Sequence, residues 1–111
     1  MHVWQKGIDL CEEIYLITKC FPSTEIYGLT SQIRRCSVSI PSNIAEGNTR
    51  GHRTEYGQFL RVAFGSAAEL ETQLLLAQKI GYLTAENFTK LNTELEEIMR
   101  MLNGLIKSLS S

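Results

Sequence analysis

The chain has 111 residues, 43% of them hydrophobic and 21% charged, with a formal net charge of −1. That length predicts one domain over residues 1–111 with a single core and no room for a second. No apolar run approaches the roughly 18 residues that span a bilayer, and Met1-His-Val-Trp-Gln-Lys6 lacks the charged-then-apolar order of a signal peptide, so the expectation is a soluble cytoplasmic protein with no membrane partner.

The first helix is expected from about Val3 to Cys20. Its apolar residues fall into two sets, Trp4, Ile8, Cys11, Tyr15 and Leu10, Ile14, Ile17, Phe21. A bundle helix needs one apolar stripe, so the surplus implies either deep burial or contact with another subunit. Trp4 is accordingly either an interface anchor or a core residue. Pro22 ends this helix, because proline cannot continue the hydrogen-bond ladder.

A second helix starts near Ser23 to Leu29 and carries Leu29, Ile33, Cys36, Ile40 and Ile44 in steps of three and four. The pattern runs straight through Pro41. An interior proline costs roughly 3 kcal/mol and leaves the carbonyl four residues earlier, that of Ser37, without its donor. A helix that continues past a kink at Pro41 fits the spacing better than a restart, which would put Ile40 in the N-cap position. Nearby hydroxyls (Ser37, Ser39, Ser42) and the Asn43 amide are available to rebond freed backbone groups, and Asn43 and Glu46 suit capping or bridging between helices. Gly47 to Arg53 reads as the exposed loop that follows.

The third helix is predicted from about Thr54 to Ile80, roughly 40 Å at 1.5 Å per residue. Tyr56, Phe59, Leu60, Ala63, Ala67, Leu70, Leu74 and Ala77 trace its apolar face. The small residues Gly65-Ser66-Ala67-Ala68 predict close approach by a neighbouring helix. Gly81 suits a left-handed C-terminal cap, Tyr82 closes the turn, and Thr84 is the expected N-cap of the last helix, with Glu86 in its first turn. That helix has an unbroken seam, Phe88, Leu91, Leu95, Ile98, Leu102, Leu105 and Leu109. Met99 and Met101 read as bundle filler. No segment alternates with period two over a useful length. The expected fold is therefore all-α, an antiparallel up-down-up-down four-helix bundle with its second helix kinked at Pro41.

Chemistry-bearing patterns are sparse. Cys11, Cys20 and Cys36 are odd in number and 9 and 16 residues apart, neither a disulfide framework nor a metal knuckle, and His2 and His52 stand alone. Ser37, Ser39 and Ser42 have no base placed beside them, and no phosphate-cradling glycine loop or carboxylate pair is visible. The reading is a non-enzyme with no metal, no cofactor and no small-molecule substrate.

Three stretches carry a family likeness: Ser37-Val-Ser-Ile-Pro41-Ser42-Asn43-Ile-Ala-Glu46-Gly47, Glu55-Tyr-Gly-Gln-Phe-Leu-Arg61, and Gly65-Ser66-Ala-Ala-Glu69-Leu-Glu71-Thr-Gln-Leu74. In order and spacing they resemble the bacterial four-helix-bundle family named after the 23S ribosomal RNA intervening-sequence protein. The likeness extends from Gln32-Ile-Arg34-Arg35 to Gly81-Tyr-Leu83. It departs from the family at Cys36, where a small alanine is usual, and at Ala67-Ala68. The resemblance implies a homo-pentameric barrel. More distantly, it implies kinship with the accessory protein of diversity-generating retroelements, a basic pentamer that associates with nucleic acid.

Charge adds a second line of reasoning. Residues 34–61 hold Arg34, Arg35, Arg50, Arg53 and Arg61 against Glu46 and Glu55, a local +3, so the rest of the chain sums to −4. Such asymmetry marks either an RNA- or DNA-binding surface, with His52 and Lys6 as additions, or a solvated face. The competing reading for Arg34 and Arg35 is structural pairing with Glu69 or Glu71 on a closely packed neighbour. A pI near 6.1 argues against a constitutive nucleic-acid binder. The alternative function is an assembly or protein-interaction scaffold with no nucleic-acid role. The two diverge at the basic loop, which only the first requires.

Overall fold

The apolar steps of three and four become helices in the computed structural model, which describes residues 1–110. These are α1 (His2–Thr18), α2 (Leu29–Thr49), α3 (Arg53–Lys79) and α4 (Ala85–Ser110). Among the described residues there is no strand, and no helix is long and apolar enough to cross a membrane. α1 and α3 each pack against both α2 and α4, which gives a four-helix bundle. Its long dimension, 44 Å, is set by the 27-residue α3.

Across each helix pair, rising residue numbers meet falling ones. Lys6 and Glu13 of α1 reach Glu97 and Lys90 of α4. Gly7 and Cys11 face Pro41 and Ser37 of α2. Cys36 and Gly47 of α2 face Ser66 and Phe59 of α3, and Arg53 near the start of α3 reaches Ser108 near the end of α4.

The core follows the predicted registers. Ile33, Cys36, Ile40 and Ile44 of α2 are buried, as are Leu60, Ala63, Ala67, Leu70, Leu74 and Ala77 of α3 and Leu91, Leu95, Ile98 and Leu102 of α4. In α1 the two apolar sets separate cleanly. Leu10, Ile14 and Phe21 join the core, whereas Ile8 and Tyr15 stay exposed and Trp4 only packs against the core's edge. The surplus apolar surface of α1 is thus an outward face.

Turn chemistry fixes the helix ends. Gly81 has φ +90°, a backbone conformation that side-chain-bearing residues rarely adopt. This lets the Tyr82 and Leu83 N–H groups both return to the Ala77 carbonyl, at 2.9 and 3.3 Å. Thr84 Oγ1 accepts from the Asn87 N–H at 3.0 Å, the capping bond expected of it. The Tyr82 hydroxyl donates to Glu25 Oε2 at 2.9 Å, and Glu25 Oε1 accepts from the Leu29 N–H at 3.0 Å. One carboxylate thereby joins the start of α2 to the turn before α4. The Leu29 bond, then the Tyr82 bond, holds the Glu25 carboxyl below its ordinary range.

One boundary falls at the late edge of the sequence expectation and one differs from it. Ser23–Glu25 forms a separate three-residue 3-10 helix, and α2 begins only at Leu29. At its other end α2 runs to Thr49, which shortens the loop to residues 50–52, because Thr49 Oγ1 donates to the Glu46 carbonyl and Arg50 pairs with Glu46 to hold a last turn.

Candidate functional site

Helix α2 is continuous through Pro41, and the carbonyl that the proline orphans is satisfied from another helix. The Cys11 thiol of α1 donates to the Ser37 carbonyl at 3.1 Å. The sequence pointed instead to local hydroxyls or Asn43. Those groups are engaged elsewhere: Ser37 Oγ donates to the Arg34 carbonyl, and Asn43 Nδ2 donates to the Ser39 carbonyl and hydroxyl. Ser42 is exposed, and Glu46 bonds Arg50 within its own helix rather than bridging to another.

A thiol is a weak donor, but a buried carbonyl left empty costs about 1 to 3 kcal/mol. Cys11→Ala is therefore expected to destabilise by about 1 kcal/mol. In a Pro41→Ala background the restored backbone N–H reaches Ser37, and much of that cost should disappear. Urea unfolding of the four proteins checks this, and strictly additive effects would refute the repair role.

Within the small-residue stretch of α3, Ser66 meets α2 directly, its hydroxyl 2.8 Å from that of Ser39 and its carbonyl 3.1 Å from the Cys36 thiol, and Ala67 is buried, but Gly65 and Ala68 face outward. An added Cβ at Gly65 would meet nothing within 4 Å, and Ala68 is exposed. The glycine that the α2–α3 contact requires is Gly47, where a Cβ would sit 2.7 Å from Phe59 Cβ and 3.0 Å from Tyr56 Cδ1. Gly57 and Gln73, two buried positions of α3, interrupt its apolar pattern and were not legible as such.

The basic residues divide between two regions. Arg34 does not pair with Glu69 or Glu71: its Nε donates to Thr18 Oγ1 at 2.9 Å, and its guanidinium lies 4.7 Å from the Tyr15 ring centre. Arg35 is exposed and has no ion-pair partner within 4 Å among the described residues, and neither has Glu71. Both arginines stand about 22 Å along α2 from Arg50, at 1.5 Å per residue.

Arg50, His52, Arg53 and Arg61 occupy the other end. Arg50 pairs with Glu46 at 2.7 Å and Glu55 at 3.9 Å, and its guanidinium sits 5.0 Å from the Phe59 ring centre. Exposed His52 occupies the N-cap position of α3 without a side-chain capping bond. Arg53 Nη2 donates to the Ser108 carbonyl at 3.0 Å, where the C-terminal end of α4 favours a cation. Exposed Arg61 extends toward Gly57 of its own helix. Lys6 is on another face, paired with Glu97 at 3.1 Å.

On that α1/α4 face, Glu13 and Glu94 share a hydrogen bond beside Lys90. Burial, then the bond to Glu13, lifts the Glu94 carboxyl to about 7, while the same bond, then Lys90, keeps Glu13 below its ordinary range. No sequence signal marks this pair, because its members come from helices far apart in the chain.

One outward feature is apolar. Trp4, Ile8 and Cys11 of α1 and Val38, Pro41 and Ala45 of α2 line a groove of about 270 Å³. Ile8 is 38% exposed and Val38 41% exposed, and Tyr15 continues the α1 edge one further pair of turns along. Val62 and Leu76 of α3, and Ile80 just beyond its end, are exposed as well.

The profile of the 23S rRNA-intervening sequence protein family matches residues 1–104. No curated protein matches the chain. Among solved structures, a protein from Bacteroides thetaiotaomicron, described as of unknown function and from the S23 ribosomal protein family, superposes with a TM-score of 0.87. It is 27% identical, and the alignment covers 95% of this chain and 98% of that one. With the same bundle, and a family match that spans all four helices, the chain belongs to the 23S rRNA-intervening sequence protein family.

Proposed function

We propose that this chain works without catalysis, as a self-associating bundle whose contact surface is the apolar groove between α1 and α2. The exposure of Ile8 and Val38 on either side of Pro41 carries this reading, since contiguous apolar surface on a small domain marks an interaction face. The occupant is a second copy. Exposed Val62 and Leu76 of α3, with Ile80 just beyond it, offer apolar side chains away from the groove, and a groove that takes a different surface of the next copy makes a head-to-tail contact. Such contacts close into rings, and five copies is the number that the family resemblance implies.

A second reading is favoured by the concentration of Arg50, His52 and Arg53 around one three-residue loop. Repeated around a ring, that loop would present clustered guanidinium donors to the phosphates of RNA or DNA, with steep salt dependence and little base preference. Arg34 and Arg35 stand apart from this surface.

One set of variants tests both readings. Light scattering should find the unmodified protein assembled, and Ile8→Glu with Val38→Glu should return it to monomers of unchanged helicity. Arg50→Glu with Arg53→Glu should leave the assembly intact and abolish low-salt retention of RNA. A monomeric unmodified protein overturns the first reading, and RNA retention indifferent to the arginine reversal overturns the second.

A further inference from the structure

A polar cleft of about 320 Å³ opens between α2 and α3, at the small end of the range of ligand sites. Arg35, Cys36 and Ser39 line it from α2, and Ser66, Glu69 and Gln73 from α3. Ser39 and Ser66 hydroxyls are 2.8 Å apart, and the Cys36 thiol bonds the Ser66 carbonyl at 3.1 Å and approaches Glu69 Oε1 at 3.6 Å. Gln73 is only 8% exposed, and its amide Oε1 is buried with no hydrogen-bond partner. An orphaned buried acceptor is costly, and here it belongs to a side chain that lines an open cleft.

Charge decides what the cleft suits. Arg35 and Glu69 line the same space, yet no nitrogen–oxygen pair between them is within 4 Å. A phosphate or simple anion would meet Glu69, and a metal cation would meet Arg35. An apolar molecule would strand the hydroxyls and the Gln73 amide. A molecule carrying both charges suits Arg35 and Glu69 together. Burial, then the Glu69 carboxylate, pushes the Cys36 thiol up to about 12, so it stays protonated and the cleft is suited to binding, not nucleophilic chemistry.

We infer that this cleft is a binding site for a small zwitterion of the amino-acid class, its carboxylate held by Arg35 and its ammonium by Glu69, with the serine hydroxyls between. The site shares the α3 face that carries Val62 and Leu76, so titration of the protein dissociated by Ile8→Glu with Val38→Glu reads binding apart from self-association. Isothermal titration of the intact protein with free protein amino acids, one at a time, should give saturable binding for at least one. The matched carboxylic acid without the ammonium and the matched amine without the carboxylate should each bind about tenfold more weakly or worse. Arg35→Gln and Glu69→Gln change exposed side chains and should keep the helical circular dichroism and the assembled mass while each weakens binding about tenfold. Absence of saturable binding to any amino acid overturns the site, as does equal binding of the matched acid or amine. Retention of full affinity by both variants also overturns it, as does a cleft filled by a neighbouring copy in the assembled protein.

Discussion

Gly47→Val is expected to remove about 3 kcal/mol or more of stability, the upper end of what overpacking costs. A Cβ at this position would lie 2.7 Å from Phe59 Cβ, an atom fixed to the α3 backbone rather than the free end of a side chain. Relief therefore requires α2 and α3 to separate, which loosens Ile44 and Leu60 nearby in the core. Gly47→Ala should also destabilise, by less, because alanine's better helix propensity offsets up to about 1 kcal/mol. Gly104 is the control. It too lies within a helix, but an added Cβ there meets nothing within 4 Å, so Gly104→Ala should stabilise by about 0.5 to 1 kcal/mol. The two alanine variants thus have opposite expected signs in urea unfolding. A stabilising Gly47→Ala would show that the helices are not in contact there.

Ile40→Ala should cost about 2 to 5 kcal/mol, against a total of roughly 5 to 15 for a small domain. Ile40 is 0% exposed, beside a proline whose rigid ring cannot follow the collapse of a cavity. Val38, two residues earlier, is 41% exposed on the groove. In the isolated protomer Val38→Ala should change stability by no more than about 0.5 kcal/mol. Melting of the two variants in an Ile8→Glu background, shown to be monomeric by light scattering, checks the register of α2. Equal losses would mean that the helix is rotated from its assigned orientation.

Registers were legible because each depends only on residues of the same helix. Leu91, Leu95, Ile98 and Leu102 could be assigned to the core from spacing alone, as could Ile33, Ile40 and Ile44 despite the intervening proline. Side-chain pairings were not legible in the same way. Arg34 looked poised for Glu69, but its partners, Thr18 and Tyr15, are on the helix that packs on its other side, and only the rotation of α2 decides between them. The same holds for the close approach. Gly65 and its small neighbours suggested it by composition, and Ser66 does meet α2, but Gly65 faces open space, and the position that only glycine fits is Gly47. The polar cleft was hidden for a third reason: Gln73 reads as an ordinary surface residue until the neighbouring helix covers it.

The thiol of Cys11 on the Ser37 carbonyl has a consequence for how the protein chooses its alignment. Apolar seams are forgiving, because a helix that slides by one turn still presents leucines and isoleucines to its neighbour. A single vacated carbonyl on α2 and a single donor on α1 cannot be exchanged for others one turn away. Together with the Pro41 ring seated against Gly7, they work as a key and notch. The proline that weakens one helix as an isolated element thereby sets where the next one stops sliding.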